Sequence, residues 1–479
     1  MVVTGHFVDS NWKLQKRVLS FLHLSPPHTA TEIVDTFYKS LNEWDLENKV
    51  FTISVDNASN NDRAIKLLKD NFRVRKQLFF GGKIFHVRCC AHILNLMVKD
   101  GIKSIEFVVE KIRDTISFLN ASEGRLLRFA DVVHQLHLPT RKLIMDCPTR
   151  WNSTYNMLTV ALQLREAFTS YSEREVTYHN SPTEDEWTKI EKVCEVLGYF
   201  NEATNIISGT EYPTSNLFLS QICTIKKVLD DSSISSDDFV RHMTMKMKEK
   251  FDKYWGECNL LMEFGAIMDP RMKFLVIEFA YPMIYGDQSG QNIAYVRTLL
   301  YELFEEYVRN FEDEAKGACE TFRLRKGSTQ GGSHSLSTSH EGGSNKYSGW
   351  LDFTAFVSEK TSKKPAKSDL DNYLEDGLEI CPPGKTFDVI GWWKSNQAKY
   401  RVLSRLAVEI LAIPISTVAS ESTFSAGERV VDTYRSKLGI EMVQALICGS
   451  NWVRALYGLK GRMKEEEDDD EIEIPIPCT

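Results

Sequence analysis

The chain has 479 residues, 42% of them hydrophobic and 26% charged, the composition of a globular protein with enough core for two or three domains. It contains neither a signal peptide nor an apolar run of roughly 18 residues, so the sequence predicts no membrane partner. The net charge of −8 comes from residues 465–473, which hold eight acids and no base. The rest of the chain is neutral and carries no global signature of nucleic-acid binding.

The cysteines indicate the compartment. All ten are scattered, only Cys89 and Cys90 are adjacent, and no CxxC pair occurs. A disulfide framework is therefore not expected, and a reducing compartment is.

The N-terminal region predicts a hairpin followed by a helix. Residues 1–8 and 14–22 have the pattern of strands, and Asp9, Ser10 and Asn11 form the turn between them. Pro26 and Pro27 break the chain, and a helix begins near Thr31.

The next segment, residues 50–61, is the most informative. Five of its first six residues are β-branched or aromatic, which predicts a buried strand, and the strand ends at Asp56. An amphipathic helix follows, with Ala64, Leu67, Leu68 and Phe72 at helical spacing. A carboxylate at this position is either a metal ligand at the mouth of a strand or a helix N-cap, and the segment alone does not decide between them.

A further strand over residues 84–90 leads into an apolar helix over residues 91–98. The resulting order, β-β-α-β-α-β-α, matches an RNase H-like core, β-β-β-α-β-α-β-α, whose first strand is missing. Asp56 then ends the fourth strand of that core. A plain doubly wound α/β fold is the alternative, but it would not start with a hairpin.

The remainder is mostly helical, with helices predicted over 110–119, 187–207, 239–254, 370–378, 387–413 and 440–456. Residues 327–349 are rich in Gly and Ser and predict a flexible linker or loop. We expect the first part of the RNase H-like core over 1–104 and a helical insertion domain over 105–326. These parts are followed by the linker over 327–349, the end of the core with a dimerisation region over 350–460, and a solvated acidic tail over 461–479.

Three motifs, taken in this order, resemble the hAT superfamily of DNA transposases, close to the plant RICESLEEPER/DAYSLEEPER group. The motifs are residues 54–61 (SVDNASNN), residues 88–96 (RCCAHILNL) with residues 149–154 (TRWNST), and residues 413–425 (IPISTVASESTFS). The resemblance implies an α/β, RNase H-like core split by a large all-α insertion, with a C-terminal hAT dimerisation region.

The resemblance also implies roles for particular residues. Asp56 and Glu421 match the second and third catalytic acids, and such acids would hold Mg²⁺ through hard oxygen ligands. Glu421 is alternatively an ordinary acid at a helix start, and Glu428 is a nearby competitor. We expect no counterpart of the family's first acid or of its BED-type zinc finger, so the site is expected to be vestigial or incomplete.

Cys89 and His92 match the family's CxxH motif. His86 stands close by, but no second ligand pair has a spacing that would suit zinc. We therefore expect a structural strand-to-helix junction, with a buried cysteine and a hydrogen-bonded histidine.

Arg150 and Trp151 are the candidate DNA-binding pair, because an aromatic face beside a guanidinium can stack a base and bind a phosphate. A core position for Trp151 is equally open at this point. The candidate dimerisation residues are apolar side chains of the C-terminal region, namely Trp392, Trp393, Leu403, Met442, Leu446 and Trp452.

The sequence thus predicts a nuclear, DNA-binding, self-associating protein derived from a transposase and lacking transposase activity. One alternative is an active Mg²⁺-dependent transposase whose N-terminal segment is missing from this sequence. Another is a scaffold for protein interactions only.

Overall fold

A computed structural model describes residues 1–24, 26–75, 78–141, 143–255, 260–327, 367–382, 385–430, 439–459 and 471–472. The predicted linker over 327–349 lies outside this range apart from Gly327. The predicted acidic tail does so apart from residues 471 and 472.

The chain opens with the predicted hairpin. Strands β1 (Val2–Val8) and β2 (Leu14–Phe21) pair antiparallel, with a register shift between Val3 and Thr4. The turn closes because Asp9 Oδ1 accepts the backbone N–H groups of Asn11 and Lys13, at 2.9 and 3.0 Å. Helix α1 (Ala30–Glu43) follows, and the Thr29 side chain caps it.

The predicted order of elements is confirmed through the next two strands. Strand β3 (Ile53–Val55) is parallel to β4 (His86–Arg88), and helix α2 (Ser59–Val74) connects them through a 3-10 turn at Phe79–Gly82. Helix α3 (Cys90–Lys103) starts directly after β4.

The prediction that the strand before Asp56 is buried is wrong. All three residues of β3 are half-buried, because the part of the chain that the structure describes pairs β3 with β4 alone. Helix α2 packs on α1 in a small core that includes Val34, Leu68 and Phe72, and Ile53 and Val55 of β3 pack against the edge of that core.

A large helical region makes up the middle of the chain. It includes a short strand, β5 (Leu143–Ile144), that pairs with β6 (Glu471–Ile472). Its helices are α4 (Glu106–Asn120), α5 (Glu123–Gln135), α6 (Trp151–Gln163), α7 (Arg165–Arg174), α8 (Glu184–Ile207), α9 (Phe218–Ser233), α10 (Asp238–Trp255), α11 (Leu260–Ile267), α12 (Leu275–Tyr285) and α13 (Ser289–Gly327). The predicted helices over 110–119, 187–207 and 239–254 lie within α4, α8 and α10.

The C-terminal region adds five helices: α14 (Asp369–Glu375), α15 (Val389–Asn396), α16 (Leu403–Leu411), α17 (Val418–Val430) and α18 (Ile440–Leu456). The single helix predicted over 387–413 is therefore two, separated by a turn at residues 397–402. The bounds of α18 agree with the prediction.

The C-terminal segments return to the N-terminal strands. The Cys90 N–H donates to the Ile415 carbonyl at 2.9 Å, and Ser54 Oγ donates to the Pro414 carbonyl at 2.7 Å. Helix α18 packs on β2 through Val18, Val443 and Ile447. A core that is split in sequence is thus joined in space. Within the residues searched, no helix is both long and apolar enough to cross a membrane.

Candidate functional site

Asp56 lies in the turn between β3 and α2. Its Oδ1 accepts the Ala58 N–H at 3.0 Å and the Asn61 Nδ2–H at 2.6 Å. The N-cap position of α2 belongs to Ala58, two residues later, so the interpretation of Asp56 as the helix N-cap is wrong. The carboxylate orders the turn at the strand end through one oxygen, and Oδ2 has no hydrogen-bond donor within the described residues.

Glu421 lies in the first turn of α17 and is exposed. Thr417, which immediately precedes the helix, donates its hydroxyl to Glu421 Oε1 at 2.5 Å. The Glu421 N–H in turn donates to the Thr417 carbonyl. The alternative acid, Glu428, has a side chain outside the described residues.

Cys89 joins these two acids. Its N–H donates to the Val55 carbonyl at 2.8 Å, one residue before Asp56. Its sulfur lies 3.2 Å from Thr417 N and 3.1 Å from Thr417 Oγ1, and Thr417 binds Glu421. The structure therefore connects Asp56 to Glu421 through one cysteine, although 365 residues separate the two acids in sequence.

The CxxH motif forms the predicted strand-to-helix junction. Cys89 is fully buried and caps α3, with its sulfur accepting the His92 backbone N–H at 3.4 Å. Burial raises the pKa of the Cys89 thiol, so it stays protonated at neutral pH. His92 contributes its backbone to this junction, whereas a hydrogen-bonded side chain was predicted; its ring is half-buried.

The magnesium site that the resemblance implies requires three converging carboxylates. Asp56 and Glu421 offer carboxylate oxygens, the ligands that Mg²⁺ prefers. Among the residues searched, however, no three His, Cys, Asp or Glu side chains converge where a metal ion could bind. The described residues therefore do not match a three-carboxylate site, and the functions proposed below do not involve a metal.

Arg150 and Trp151 have separate environments. Arg150 is exposed at the start of α6, and its Nη2 donates to Ser425 Oγ on α17 at 3.3 Å. Trp151 is only 5% exposed and packs in the main core, with its ring 6.4 Å from that of Tyr155. The interpretation of Trp151 as a base-stacking platform is therefore wrong for this conformation, because the ring has no accessible face.

Sequence reasoning assigned no role to three residues that build this site. Thr417 and Ser425 lie within a quoted motif but form contacts with partners hundreds of residues away. Arg88 ends β4 and pairs with Asp62 of α2 at 3.0 Å, with both side chains more than 40% exposed. The only sequence signal for Arg88 was its position directly before the CxxH motif.

The candidate dimerisation residues divide into two groups. Trp393 and Leu403 are fully buried inside the protomer, where Trp393 Nε1 donates to the Met268 carbonyl at 2.8 Å and Trp392 packs against Trp393. Their assignment to a surface between protomers is wrong, because their apolar partners belong to the same chain. Met442 and Leu446 on α18 are 53% and 43% exposed. Trp452 is 37% exposed, but its Nε1 donates to the Val18 carbonyl at 2.9 Å and its ring stacks on Trp44, so its partners also belong to the same chain.

Comparison with protein families gave four matches along the chain. Residues 1–84 match the ZBED1 RNase-like domain, and residues 87–196 match the ZBED1 RNase-like helical domain. Residues 216–307 match the hAT-like transposase, RNase-H fold, and residues 369–453 match the hAT family C-terminal dimerisation region. These matches confirm the predicted resemblance and fold class.

Curated relatives agree with the family matches. Zinc finger BED domain-containing protein RICESLEEPER 2 of Oryza sativa subsp. japonica is 35% identical over 95% of this chain and 63% of its own length. The Putative AC transposase of Zea mays is 34% identical over 95% of this chain and 55% of its own length. Zinc finger BED domain-containing protein DAYSLEEPER of Arabidopsis thaliana is 31% identical over 94% of this chain and 61% of its own length. The chain thus spans less than two thirds of the length of these relatives.

Proposed function

The chain belongs to the hAT family of transposases, and from that premise we propose that it is a transposase-derived nuclear protein that binds DNA and self-associates without cutting DNA. The observation that carries the DNA-binding part is the contact between Arg150 and Ser425. This contact places the exposed Arg150 guanidinium against α17, at a residue one helical turn from Glu421. Guanidinium groups bind phosphate through paired, charge-assisted hydrogen bonds.

Arg88 extends this basic site on the N-terminal side. It ends β4, whose backbone is paired with Val55 directly before Asp56. Its ion pair with Asp62 is exposed to solvent and therefore contributes little stability, so a DNA phosphate can replace the carboxylate at small cost. Two arginines from separate regions are thus in contact with the elements that carry the two carboxylates, as expected for a surface that binds the DNA backbone.

The candidate metal ligands among the described residues support the proposal that the protein does not cut DNA. Two-metal cleavage needs carboxylates that hold two ions about 4 Å apart, and the described residues bring together no three candidate ligands. Among the described residues, the two acids with one unoccupied oxygen each are too few to offset the charge of two divalent ions.

Self-association is proposed to use α18. Met442, Leu446, Gly449, Val453 and Leu456 follow one another at spacings of four and three residues, the pattern of a coiled-coil seam. The four apolar side chains among them are exposed. A Cβ at Gly449 would meet no atom within 4 Å, so two such helices could approach closely there. This seam, defined by these five residues, lies at the end of the region that matches the hAT dimerisation family.

DNA binding is tested by substituting Arg150→Ala and measuring retention of duplex DNA across a salt series. Loss of one phosphate contact should weaken binding and reduce the slope of log K against log salt by about 1. Arg174→Ala is the matched control, since Arg174 is also exposed but binds Gln135 at the end of α5. No DNA retention by the unaltered protein at low salt would refute DNA binding and favour the scaffold alternative.

Cleavage is tested separately on hairpin DNA with Mg²⁺. We expect no nicking. Clear nicking that disappears in Asp56→Ala would refute the inactive proposal and favour an active transposase. Nuclear location is tested with a fluorescent fusion in a eukaryotic cell, where exclusion from the nucleus would contradict it.

A further inference from the structure

The Cys89 side chain lies where three separate segments of the chain meet. Its sulfur receives the N–H of His92 from α3 and the N–H of Thr417 from the segment before α17. Its own N–H holds the carbonyl of Val55, at the end of β3. A single buried residue thus fixes the positions of the strand end and the helix start that carry the two acids.

The contacts of the Thr417 hydroxyl determine the direction of the hydrogen bonds. The oxygen lies 2.5 Å from Glu421 Oε1 and 3.1 Å from Cys89 Sγ, but the hydroxyl has only one proton to donate. The carboxylate is the stronger acceptor and the closer one, so it receives this proton. Because the hydroxyl proton points towards Glu421, Cys89 Sγ and Thr417 Oγ1 form a hydrogen bond only if the thiol donates its own proton.

We propose that Thr417 is a positioning residue that holds the Glu421 carboxylate in one orientation, and that the Cys89 thiol donates a hydrogen bond to the Thr417 hydroxyl. These two consecutive hydrogen bonds are called the relay. The relay runs from S–H to Oγ1 and from O–H to Oε1. It gives the cysteine of the CxxH motif a specific task, which is to set the Glu421 carboxylate relative to Asp56. The importance of that orientation for DNA rests on the proposed function; the relay itself does not.

Burial makes the relay strong. Cys89 is fully buried and Thr417 is 9% exposed, so water does not compete for the hydrogen bonds between them. Since burial also keeps the thiol protonated at neutral pH, the donor is present under physiological conditions. The relay occupies Oε1 and leaves Oε2 without a hydrogen-bond donor in the described part of the chain, so the outward-facing oxygen is fixed as well.

The S–H stretching vibration tests the relay directly, because protein spectra are otherwise nearly empty in that region and a donating thiol absorbs at lower wavenumber. A difference spectrum between the unaltered protein and Cys89→Ser isolates the Cys89 band without leaving a cavity. In Thr417→Val, which preserves side-chain shape, the band should shift to higher wavenumber, whereas Thr417→Ser should restore it. The control is Thr423→Val on the same helix, whose hydroxyl binds the Ala419 carbonyl at 2.9 Å. An unshifted band in Thr417→Val overturns the relay.

Positioning is tested by non-additivity in DNA affinity, measured in a chelating buffer. Glu421→Gln removes a negative charge beside the arginines and should tighten binding a few-fold. Thr417→Val should also change the affinity, but the double variant should bind as Glu421→Gln does alone. Additive effects would overturn positioning, because Thr417 would then act without Glu421. If Glu421→Gln leaves the affinity unchanged, the role of Glu421 beside DNA is refuted, while the S–H band still decides whether the relay exists.

Discussion

The seam on α18 gives the sharpest prediction about assembly. Leu446 and Val453 are 43% and 50% exposed, and both lie on the seam one heptad apart. Full burial of such a side chain contributes about 1.5–3 kcal/mol, so covering the exposed half contributes about 1 kcal/mol each. A two-fold dimer buries four of these side chains, or about 4 kcal/mol, and loses all of it when both positions become lysine. That loss corresponds to roughly a thousandfold increase in Kd.

Light scattering after size exclusion, followed by sedimentation over a concentration series, measures this change. The unaltered protein should dimerise at micromolar concentration, and Leu446→Lys with Val453→Lys should be monomeric. A control pair, Leu275→Lys with Phe279→Lys on α12, replaces side chains that are 54% and 69% exposed and should leave the dimer intact. Equal dimer affinity in the seam variant and the unaltered protein would refute the argument, as would a monomeric unaltered protein.

Three further outcomes follow from individual groups. Burial, with Arg88 nearby, lowers the pKa of His86 from 6.5 to about 4, so between these pH values only the unfolded chain takes up a proton at this histidine. The free energy of unfolding should therefore fall as the pH drops from 6.5 towards 4. Thermal melts of His86→Gln should show a shallower fall over the same pH range. The Asp146 side chain is fully buried and binds Arg113 at 2.6 and 2.7 Å, but Arg113 is partly exposed and also binds Glu110. Asp146→Ala should therefore lower the unfolding free energy by about 1.5–3 kcal/mol in denaturant titrations, and an unchanged unfolding free energy would contradict this reasoning. Removing residues 461–479, which hold eight acids and two bases, changes the net charge from −8 to −2 and should tighten DNA binding at low salt, with the difference disappearing at high salt.

Local sequence patterns predicted much of the fold. Helix α18 was predicted with its bounds, because apolar residues at helical spacing run through residues 440–456. The order of strands and helices up to α3 was also correct, since turn residues separate each element from the next. These successes share a cause, as each element is specified by neighbours within a few residues.

The errors concern partners that are distant in sequence. An apolar helix must pack on something, but its sequence does not say whether the surface belongs to the same protomer. Trp393 and Leu403 were therefore assigned to a dimer surface, although they fill the core of their own chain. For the same reason, the sequence leaves open whether Trp151 lies in the core or stacks on a DNA base. The relay was missed because Cys89 and Thr417 are 328 residues apart and no local periodicity joins them.

Two long-range contacts hold α17, one at the residue before the helix and one within it. Cys89 holds Thr417 from the side of the N-terminal strands, and Arg150 holds Ser425 from the side of the helical region. Glu421 lies between these two points, four residues from each. Helix α17 also packs on β1 and on α18, and the Phe424 ring stacks on Phe21 of β2. DNA that displaces Arg150 from Ser425 therefore breaks one of several contacts that orient this helix, and Glu421 keeps its hydrogen bond with Thr417.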